Sequence, residues 1–212
     1  MPKSETETAR PFLERFCQGD TLDIGYGGDP ITTGAILVDK KRFDEYGEDQ
    51  IVCDALVNLP FEDDFFGTVY SSHLLEDAVN TEAVLKEWVR VLAPDGNLIL
   101  FLPNQMAYEA HCAEHGTLPN QDHKHKHFCF EYVIACLPAC MNVIHFENPV
   151  TYNPYSFAIV ARKIAGMPNH TLHDVIRAEQ QQRQKEIQQN SIAKDIAEAT
   201  NPLKMWTPDD IP

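Results

Sequence analysis

The chain of 212 residues lacks the features that mark several classes of protein. Its apolar runs fall well short of the ~20 residues that span a bilayer, and its start, MPKSETETARPF, has no apolar stretch of the signal-peptide type. Its six cysteines form no CxxC pair and are too few for a small disulfide scaffold. We therefore expect a cytoplasmic protein with reduced thiols and no membrane segment.

Positive charge is also scarce. Lys and Arg total 17 against 32 Asp and Glu, which gives a formal net charge of −15. Proteins that bind DNA or RNA through phosphates normally carry the opposite sign, so the charge argues against a nucleic-acid partner. The hydrophobic fraction of 43% and the charged fraction of 23% are typical of a globular protein.

Short apolar runs, separated by loops and helical patterns, predict an open and mostly parallel sheet. The runs are continuous rather than alternating, as in strands that are buried on both faces. They span residues 21–24, 35–38, 50–53, 66–71 and 97–102, with two closing strands predicted over 141–146 and 155–160. Helical patterns cover residues 4–18, a segment capped by Asn80 or Thr81, and residues 128–140. The fold class is therefore α/β, with a doubly wound, mostly parallel seven-stranded sheet.

The chain divides by composition into a domain over residues 1–165 and a tail over residues 166–212. Residues 171–199 have helical propensity but only a thin apolar stripe, and their centre is rich in glutamine. We expect a helical, partly disordered tail that serves as a surface helix, a docking segment or a homodimer contact.

A glycine-rich loop follows the first predicted strand, and an acidic residue ends the second. Gly25, Gly27 and Gly28 allow positive φ and let a ligand lie against bare backbone. Asp39 stands where an acid can accept both hydroxyls of a ribose. Because the carboxyl ends of parallel strands share one edge of a sheet, the pattern predicts a nucleotide-type cofactor site there.

Four stretches extend this pattern, and they occur in the order of a known family. They are TLDIGYGG (21–28), AILVD (35–39), CDALVNLPFEDDFFGTVYSSHLLED (53–77) and LKEWVRVLAPDGNLILFLPN (85–104). Residues 20–104 thereby resemble the class I S-adenosylmethionine-dependent methyltransferases of the type 11 style. The resemblance implies a Rossmann-like fold, S-adenosylmethionine as cofactor, S-adenosylhomocysteine as product, and methyl transfer as the activity.

The resemblance also implies roles for individual residues. Those implied to approach the methionine part of the cofactor are Asp23, Gly25, Tyr26, Gly27 and Gly28. Those implied around the nucleoside are Asp39 at the ribose, Asp54 at the adenine amino group, and Ala55 and Leu56 beside the ring. Those implied to close the pocket after the fourth strand are Ser71, Ser72 and His73.

Two departures from the family pattern stand out. HLLED (73–77) is similar to the recurrent HVLEH, but Asp77 replaces its last histidine. Only residues 29–34 separate the glycines from the second strand, which is shorter than the ~10 residues of a crossover helix. This short connection resembles that of a subgroup with a GxGxxP-type loop. Several members of the subgroup are encoded among sugar and cell-surface polysaccharide genes. A small or saccharide-like acceptor, methylated on O or N, is the resulting expectation.

Histidines are the candidate residues on the acceptor side. His73 is a candidate base because of its place at the end of the fourth strand. The other candidates, as acceptor contacts, are His111, His123, His125 and His127. The last three alternate and would share one face of an extended chain, which also suits a divalent metal, but no carboxylate pattern accompanies them. We expect a solvated lid, or polar contacts to a sugar-like acceptor, rather than a metal.

Two other functions compete with methyl transfer. One is a cofactor-binding but inactive module that uses its tail to hold another enzyme. The other is a dinucleotide site of the dehydrogenase type, which GYGGDP resembles superficially. The latter is the weakest, because Pro30 and the missing helix do not fit the GxGxxG fingerprint.

Overall fold

The computed structural model describes residues 4–47, 50–171, 174, 178, 180–189 and 191. The chain divides into two compact units, residues 1–172 and residues 173–212. In the first unit the strands are β1 (Thr21–Ile24), β2 (Ile36–Asp39), β3 (Gln50–Val52), β4 (Phe66–Ser72), β5 (Leu92–Pro103), β6 (Met141–Glu147) and β7 (Ser156–Lys163). Its helices are α1 (Glu5–Leu13), α2 (Thr81–Val91), α3 (Gln105–His115) and α4 (Phe130–Cys136).

The seven strands form one sheet in the order β3-β2-β1-β4-β5-β7-β6. Strands β1 to β5 pair in parallel, whereas β7 pairs antiparallel with both β5 and β6. The prediction of a doubly wound, mostly parallel seven-stranded sheet is confirmed. The carboxyl ends of β1, β2 and β4 therefore lie at one edge, where the cofactor site is predicted.

Polar caps begin α1 and α2, which cover opposite faces of the sheet. The Ser4 side chain accepts a hydrogen bond from Glu7 N at the start of α1, and Asn80 accepts one from Ala83 N at the start of α2. The apolar stripe of α2 is buried and includes Val84, Leu85 and Trp88. The sequence thus predicts α2 and its cap from local pattern alone.

The core lies on both faces of the sheet. One cluster contains the buried stripe of α2, residues of α4 and the strand side chains that face them, such as Leu22 and Leu100. The second cluster is smaller and joins Ala9 and Leu13 of α1 to Tyr70 and Phe101. Both faces are apolar at β4, β5 and β7, as expected for strands that read as continuous hydrophobic runs.

A compact loop, not a helix, connects β1 to β2, as the short spacing predicts. The Arg10 guanidinium of α1 binds the Asp29 carboxylate and the Pro30 carbonyl. Ile31 is fully buried beneath α1, and its amide donates to the Asp23 carboxylate at 2.6 Å. The side chain of Ile31 therefore fills the space under α1 that a connecting helix would otherwise cover.

The segment between β5 and β6 differs most from expectation. Residues 105–115 form α3, which the sequence did not predict, because only Gln105 and Cys112 of this helix are buried and its apolar stripe is correspondingly weak. Its cap is Asn104, whose side chain accepts from Ala107 N. The helix predicted over 128–140 is shorter, Phe130–Cys136, since Pro138 follows it closely.

The second unit lies largely outside the described residues, and so does most of the predicted tail. Residues 180–189 are helical, in line with the propensity of this segment. Among the described residues, no helix combines the length and the apolar character needed to cross a membrane.

Candidate functional site

The glycine loop after β1 is held by close packing. Gly25, Gly27 and Gly28 have φ values of 70°, 59° and 82°, in the left-handed region that favours glycine. A Cβ on Gly25 would lie 2.7 Å from Cδ2 of Leu74, so any side chain at this position would clash. The Gly25 amide donates to the Val38 carbonyl at 2.7 Å, which ties the loop to β2.

Asp39 ends β2 with its carboxylate already oriented. Oδ2 accepts from the Gly27 amide at 3.2 Å, and Oδ1 accepts from the Lys41 amide at 2.9 Å. A carboxylate held by two backbone donors has few alternative orientations and needs little reorganisation to bind two hydroxyls. This is the geometry that the ribose prediction requires.

The turn after β3 supplies a third wall. Asp54 Oδ1 accepts from the Leu56 amide at 3.0 Å, and Oδ2 lies 3.3 Å from Lys40 Nζ. Ala55 is buried, and its carbonyl accepts from Trp88 Nε1 at 2.9 Å. The turn is therefore anchored to α2, whereas the Asp54 carboxylate stays accessible.

These walls enclose a cavity of about 200 Å³. It is lined by Gly25, Asp39, Lys40, Cys53, Asp54, Ala55, Leu56, His73 and Leu74. The structure thus brings together six of the residues that sequence reasoning assigned to the cofactor. An oriented carboxylate, a second acid and a small apolar wall fit the ribose, amino group and ring of an adenosine. Because ligand pockets usually exceed about 300 Å³, this cavity would hold only part of a larger cofactor, and the rest would lie outside it.

A larger cavity of about 810 Å³ lies elsewhere, beside the amino-terminal ends of β2 and β3. Its lining includes Pro30, Gly34, Ile36 and Ile51, but none of the predicted site residues. We place the functional site in the smaller cavity, because parallel α/β sheets bind ligands at the carboxyl ends of their strands and the oriented acids are there.

His73 follows β4 and closes one side of the small cavity. Its backbone has φ 48°, and its amide donates to the Phe101 carbonyl at 2.9 Å. Nε2 lies 3.0 Å from Ser156 Oγ. Burial lowers the pKa of His73 to about 4, and the nearby Glu5 carboxylate opposes this shift. The imidazole is therefore neutral at pH 7.

Three other predicted residues use their side chains within the protein, and a fourth is buried. Ser71 donates to the Ile24 carbonyl at 3.0 Å, whereas Ser72 is buried and its hydroxyl has no hydrogen-bond partner among the described residues. The Tyr26 hydroxyl donates to Gln50 Oε1 at 2.7 Å. Asp23 is fully buried, and its carboxylate accepts a hydrogen bond from the Ile31 amide. Burial raises the pKa of Asp23 to about 8. Their assignment to the cofactor stays a prediction, and for Tyr26 and Asp23 the contacts indicate a role in shaping the loop.

The four candidate histidines of the acceptor side do not converge. His123 lies 2.6 Å from Gln105 Oε1 through Nδ1, and His125 Nε2 donates to the Ala78 carbonyl at 2.7 Å. His127 is exposed, whereas the His111 ring packs at a tilt against Tyr155, with 4.7 Å between ring centroids. The alternation of 123, 125 and 127 thus creates no common face. Within the described ranges, no group of three or more His, Cys, Asp or Glu side chains is arranged to hold a metal ion.

Sequence reasoning missed several residues around His73. Glu5 Oε2 lies 3.8 Å from His73 Nε2, and Glu76 Oε1 lies 3.9 Å from Nδ1. Glu76 could have been found in HLLED, where it stands three residues after His73. Glu5 and Tyr155 lie far from this motif in sequence, so only the tertiary structure places them there.

Part of the chain matches a known family model. Residues 22–100 match the methyltransferase domain family. No sequence among curated proteins matches the chain.

Solved structures share the fold at low identity. The PH0226 protein of Pyrococcus horikoshii OT3 is 21% identical, with a TM-score of 0.59 over 74% of this chain and 88% of that one. A S-adenosylmethionine-dependent methyltransferase of Thermotoga maritima is 17% identical, with a TM-score of 0.55 over 76% and 87%. The [4+2]-cyclase SpnF is 15% identical, with a TM-score of 0.55 over 76% and 80%. These likenesses establish the fold but not the reaction, since a cyclase is among them.

Proposed function

We propose that this chain, whose residues 22–100 match the methyltransferase domain family, is a class I S-adenosylmethionine-dependent methyltransferase that methylates an O or N atom of a small or saccharide-like acceptor. The acceptor class rests on the short loop after Gly28, which resembles that of a subgroup found among polysaccharide genes. Cell-surface polysaccharide synthesis, carried out from the cytoplasm, is the corresponding setting.

The observation that carries the proposal is the small cavity with the oriented Asp39 carboxylate. Asp39 would hold the ribose hydroxyls, Asp54 the adenine amino group, and Ala55 and Leu56 the faces of the ring. Gly25, which also lines the cavity, would lie beside the methionine part. The bound cofactor supplies a methyl group on a positively charged sulfur, which a nucleophile can attack directly.

The contribution of this chain to the reaction is mainly positional. Holding an acceptor in line with the methyl carbon and excluding water can supply most of the acceleration. His73 lines the cavity as a neutral imidazole, so it can accept a hydrogen bond from an acceptor group. A pKa near 4 makes His73 a weak proton acceptor at pH 7. We therefore assign it to orienting the acceptor rather than to base catalysis.

The second candidate function is a cofactor-binding module that holds another enzyme without catalysis. The small enclosed volume and the packing of Leu74 against Gly25 favour it, because both restrict the methionine side of the site. Turnover of cofactor with any acceptor would exclude this function.

Calorimetric titration with S-adenosylmethionine and S-adenosylhomocysteine tests the proposal. We expect micromolar binding to the wild type and at least a tenfold weaker affinity for Asp39→Ala, which corresponds to about 1.4 kcal/mol. Asp20→Ala removes an exposed carboxylate from the loop before β1 and is expected to bind as the wild type does. NAD is the control ligand. No binding of either sulfur compound, or equal binding by Asp39→Ala, would contradict the proposed site.

A further inference from the structure

His73 belongs to two groups of side chains, the cofactor cavity and a second cluster at the same edge of the sheet. We call the second group the Glu5 cluster, and it consists of Glu5, His73, Tyr108, His111 and Tyr155. Its members come from α1, the end of β4, α3 and the start of β7. Because His73 is shared, a molecule bound at the Glu5 cluster would lie next to the cofactor cavity.

The carboxylate of Glu5 is oriented but not neutralised. Oε1 accepts from the Tyr155 hydroxyl at 2.7 Å, and Oε2 accepts from Asn153 Nδ2 at 2.7 Å. Both donors are uncharged. Within the part of the chain that the structure describes, His73 is the one ion-pair partner of Glu5 within 4 Å, and its lowered pKa leaves it neutral at pH 7. The Glu5 side chain is 36% exposed, so a ligand can reach it.

Several aromatic rings lie near this carboxylate, next to the Tyr155 ring whose hydroxyl donates to it. The Tyr155 ring lies 4.7 Å from His111, 5.5 Å from Tyr108 and 6.1 Å from His73, between ring centroids. A carboxylate among aromatic faces is an environment that favours an organic cation, because ring faces and carboxylate both attract positive charge. A neutral polyol would gain less from either.

Glu76 gives an independent sign that a hydrogen-bond donor is missing beside His73. It is 1% exposed, and its Oε2 has no hydrogen-bond partner among the described residues. Oε1 lies 3.9 Å from His73 Nδ1 and 3.7 Å from His123 Nε2. Burial raises the pKa of Glu76 well above its ordinary value, and the charges of Asp77 and Glu5 add to this. One oxygen of this buried carboxyl, beside His73, is therefore open to a hydrogen-bond donor that the described residues do not supply, such as an ammonium N–H.

The wider surroundings of the cluster are acidic as well. The charged groups that face His73, Glu76 and His123 are Glu5, Asp77, Glu109 and Asp122. Lys40 and Lys124 act on Asp77 at the margin. Together with the net charge of −15, this field attracts cations towards the site and repels anions.

Building on the proposed methyl transfer, we propose that the acceptor is an amine, the amino group of a sugar included, which binds as its ammonium ion against Glu5 among the rings of Tyr108, Tyr155 and His73. The ammonium nitrogen loses one proton to the solvent before reaction. Its lone pair then forms the bond to the methyl carbon, while the carbon–sulfur bond breaks and its electron pair stays on sulfur. Atoms and charge balance, because the positive charge passes from sulfur to the methylated nitrogen.

Binding of matched probes to the full chain tests this inference. Ethylammonium and glucosamine are compared with ethanol and glucose by ligand-observed NMR at pH 7, with and without S-adenosylhomocysteine. We expect each ammonium probe to bind at least tenfold more tightly than its neutral counterpart. Glu5→Gln keeps the size and an acceptor oxygen but removes the charge, so the difference between the two probes is expected to vanish.

Two variants guard against a loss of fold. Glu114→Gln makes the same charge change at an exposed position of α3 and is expected to bind as the wild type does. Tyr155→Phe keeps the ring and removes the hydroxyl, so a two- to threefold loss is expected. Circular dichroism checks that each variant is folded.

The outcomes separate this inference from the proposed function. Equal binding of charged and neutral probes, no binding of any ammonium probe, or unchanged binding by a folded Glu5→Gln would overturn the amine assignment alone. Absence of S-adenosylhomocysteine binding to the wild type would instead overturn the methyltransferase proposal, whatever the probes do.

Discussion

Two regions of the sheet are covered in different ways. In the helix-covered half, β4, β5 and β7 lie between α1 on one face and α2 and α4 on the other, and both faces are apolar. In the loop-covered half, β1, β2 and β3 are connected by loops and single turns. Parallel pairing runs from β3 through β5 across the boundary between the halves, and β7 then pairs antiparallel with β5. Strand pairing at this edge therefore does not depend on a full set of crossover helices.

Hydrogen-bonded side chains take over part of the role of helices in the loop-covered half. Gln50 is buried at the start of β3, and its Oε1 accepts from Phe43 N at 2.8 Å and from the Tyr26 hydroxyl at 2.7 Å. Its Nε2 donates to the carbonyls of Phe43 and Gly47. One amide thus satisfies the backbone of the β2–β3 connection and fixes the Tyr26 ring. Such a network is stabilising only while all its members are paired.

The largest expected effect of a single substitution lies in the helix-covered half. Trp88→Ala empties a fully buried site of α2 and should lower the free energy of unfolding by about 3–5 kcal/mol, the range for large-to-small changes in a core. It also frees the Ala55 carbonyl that Trp88 Nε1 holds beside the cofactor cavity. Urea unfolding followed by circular dichroism measures the change.

Trp88→Phe is the matched control for the indole nitrogen. It retains most of the ring volume but leaves the Ala55 carbonyl unpaired, so a smaller loss of about 1–3 kcal/mol is expected. If Trp88→Ala lowered the free energy of unfolding by less than Trp88→Phe does, packing on α2 would not be the main support of the turn after β3.

In the loop-covered half, Gln50→Leu should have the next largest effect. It keeps the approximate volume but leaves the amide and carbonyl of Phe43 and the Tyr26 hydroxyl without their partner, which should cost about 2–3 kcal/mol. The exposed Gln121→Leu should change stability by less than about 0.5 kcal/mol. A neutral effect of Gln50→Leu in the same unfolding assay would mean that the β2–β3 connection needs no polar network.

The smallest expected effect concerns Asp23, and it depends on pH. Burial raises the pKa of Asp23 to about 8, although the Ile31 amide and Arg10 favour its charged form and Asp29 and Asp39 oppose it. The folded chain therefore binds an extra proton between about pH 4 and pH 8. The contribution of Asp23 to the free energy of unfolding is fully present below pH 4 and is lost as the pH rises through 8.

Asp23→Asn should remove this dependence, because the amide stays neutral. Relative to wild type, the variant should gain about 1–2 kcal/mol between pH 5 and pH 6, because one proton bound only by the folded chain corresponds to about 1.4 kcal/mol per pH unit. Chemical unfolding of both proteins at the two pH values measures the difference. A constant difference across this range would show that Asp23 is charged throughout.

Local patterns were sufficient to predict much of the fold, whereas the roles of the candidate site residues stay predictions. Continuous apolar runs placed β1 to β5, because strands that are buried on both faces cannot alternate. The Asn80 cap and the apolar stripe placed α2. Asp39, Asp54 and the glycines were found because they stand at strand ends, where a short spacing in sequence becomes a short distance in space.

What the sequence by itself determined is the sheet, its mostly parallel character and the acids at its carboxyl edge, since these follow from contacts between residues that are close along the chain or at equivalent ends of strands. Only the tertiary structure decided that Ile31 and Gln50 replace helices, that His123, His125 and His127 turn to different partners, and that Glu5 and Tyr155 meet at His73. Side chains 68 and more residues apart in the chain meet only after the strands have paired, because no local pattern encodes such a distance.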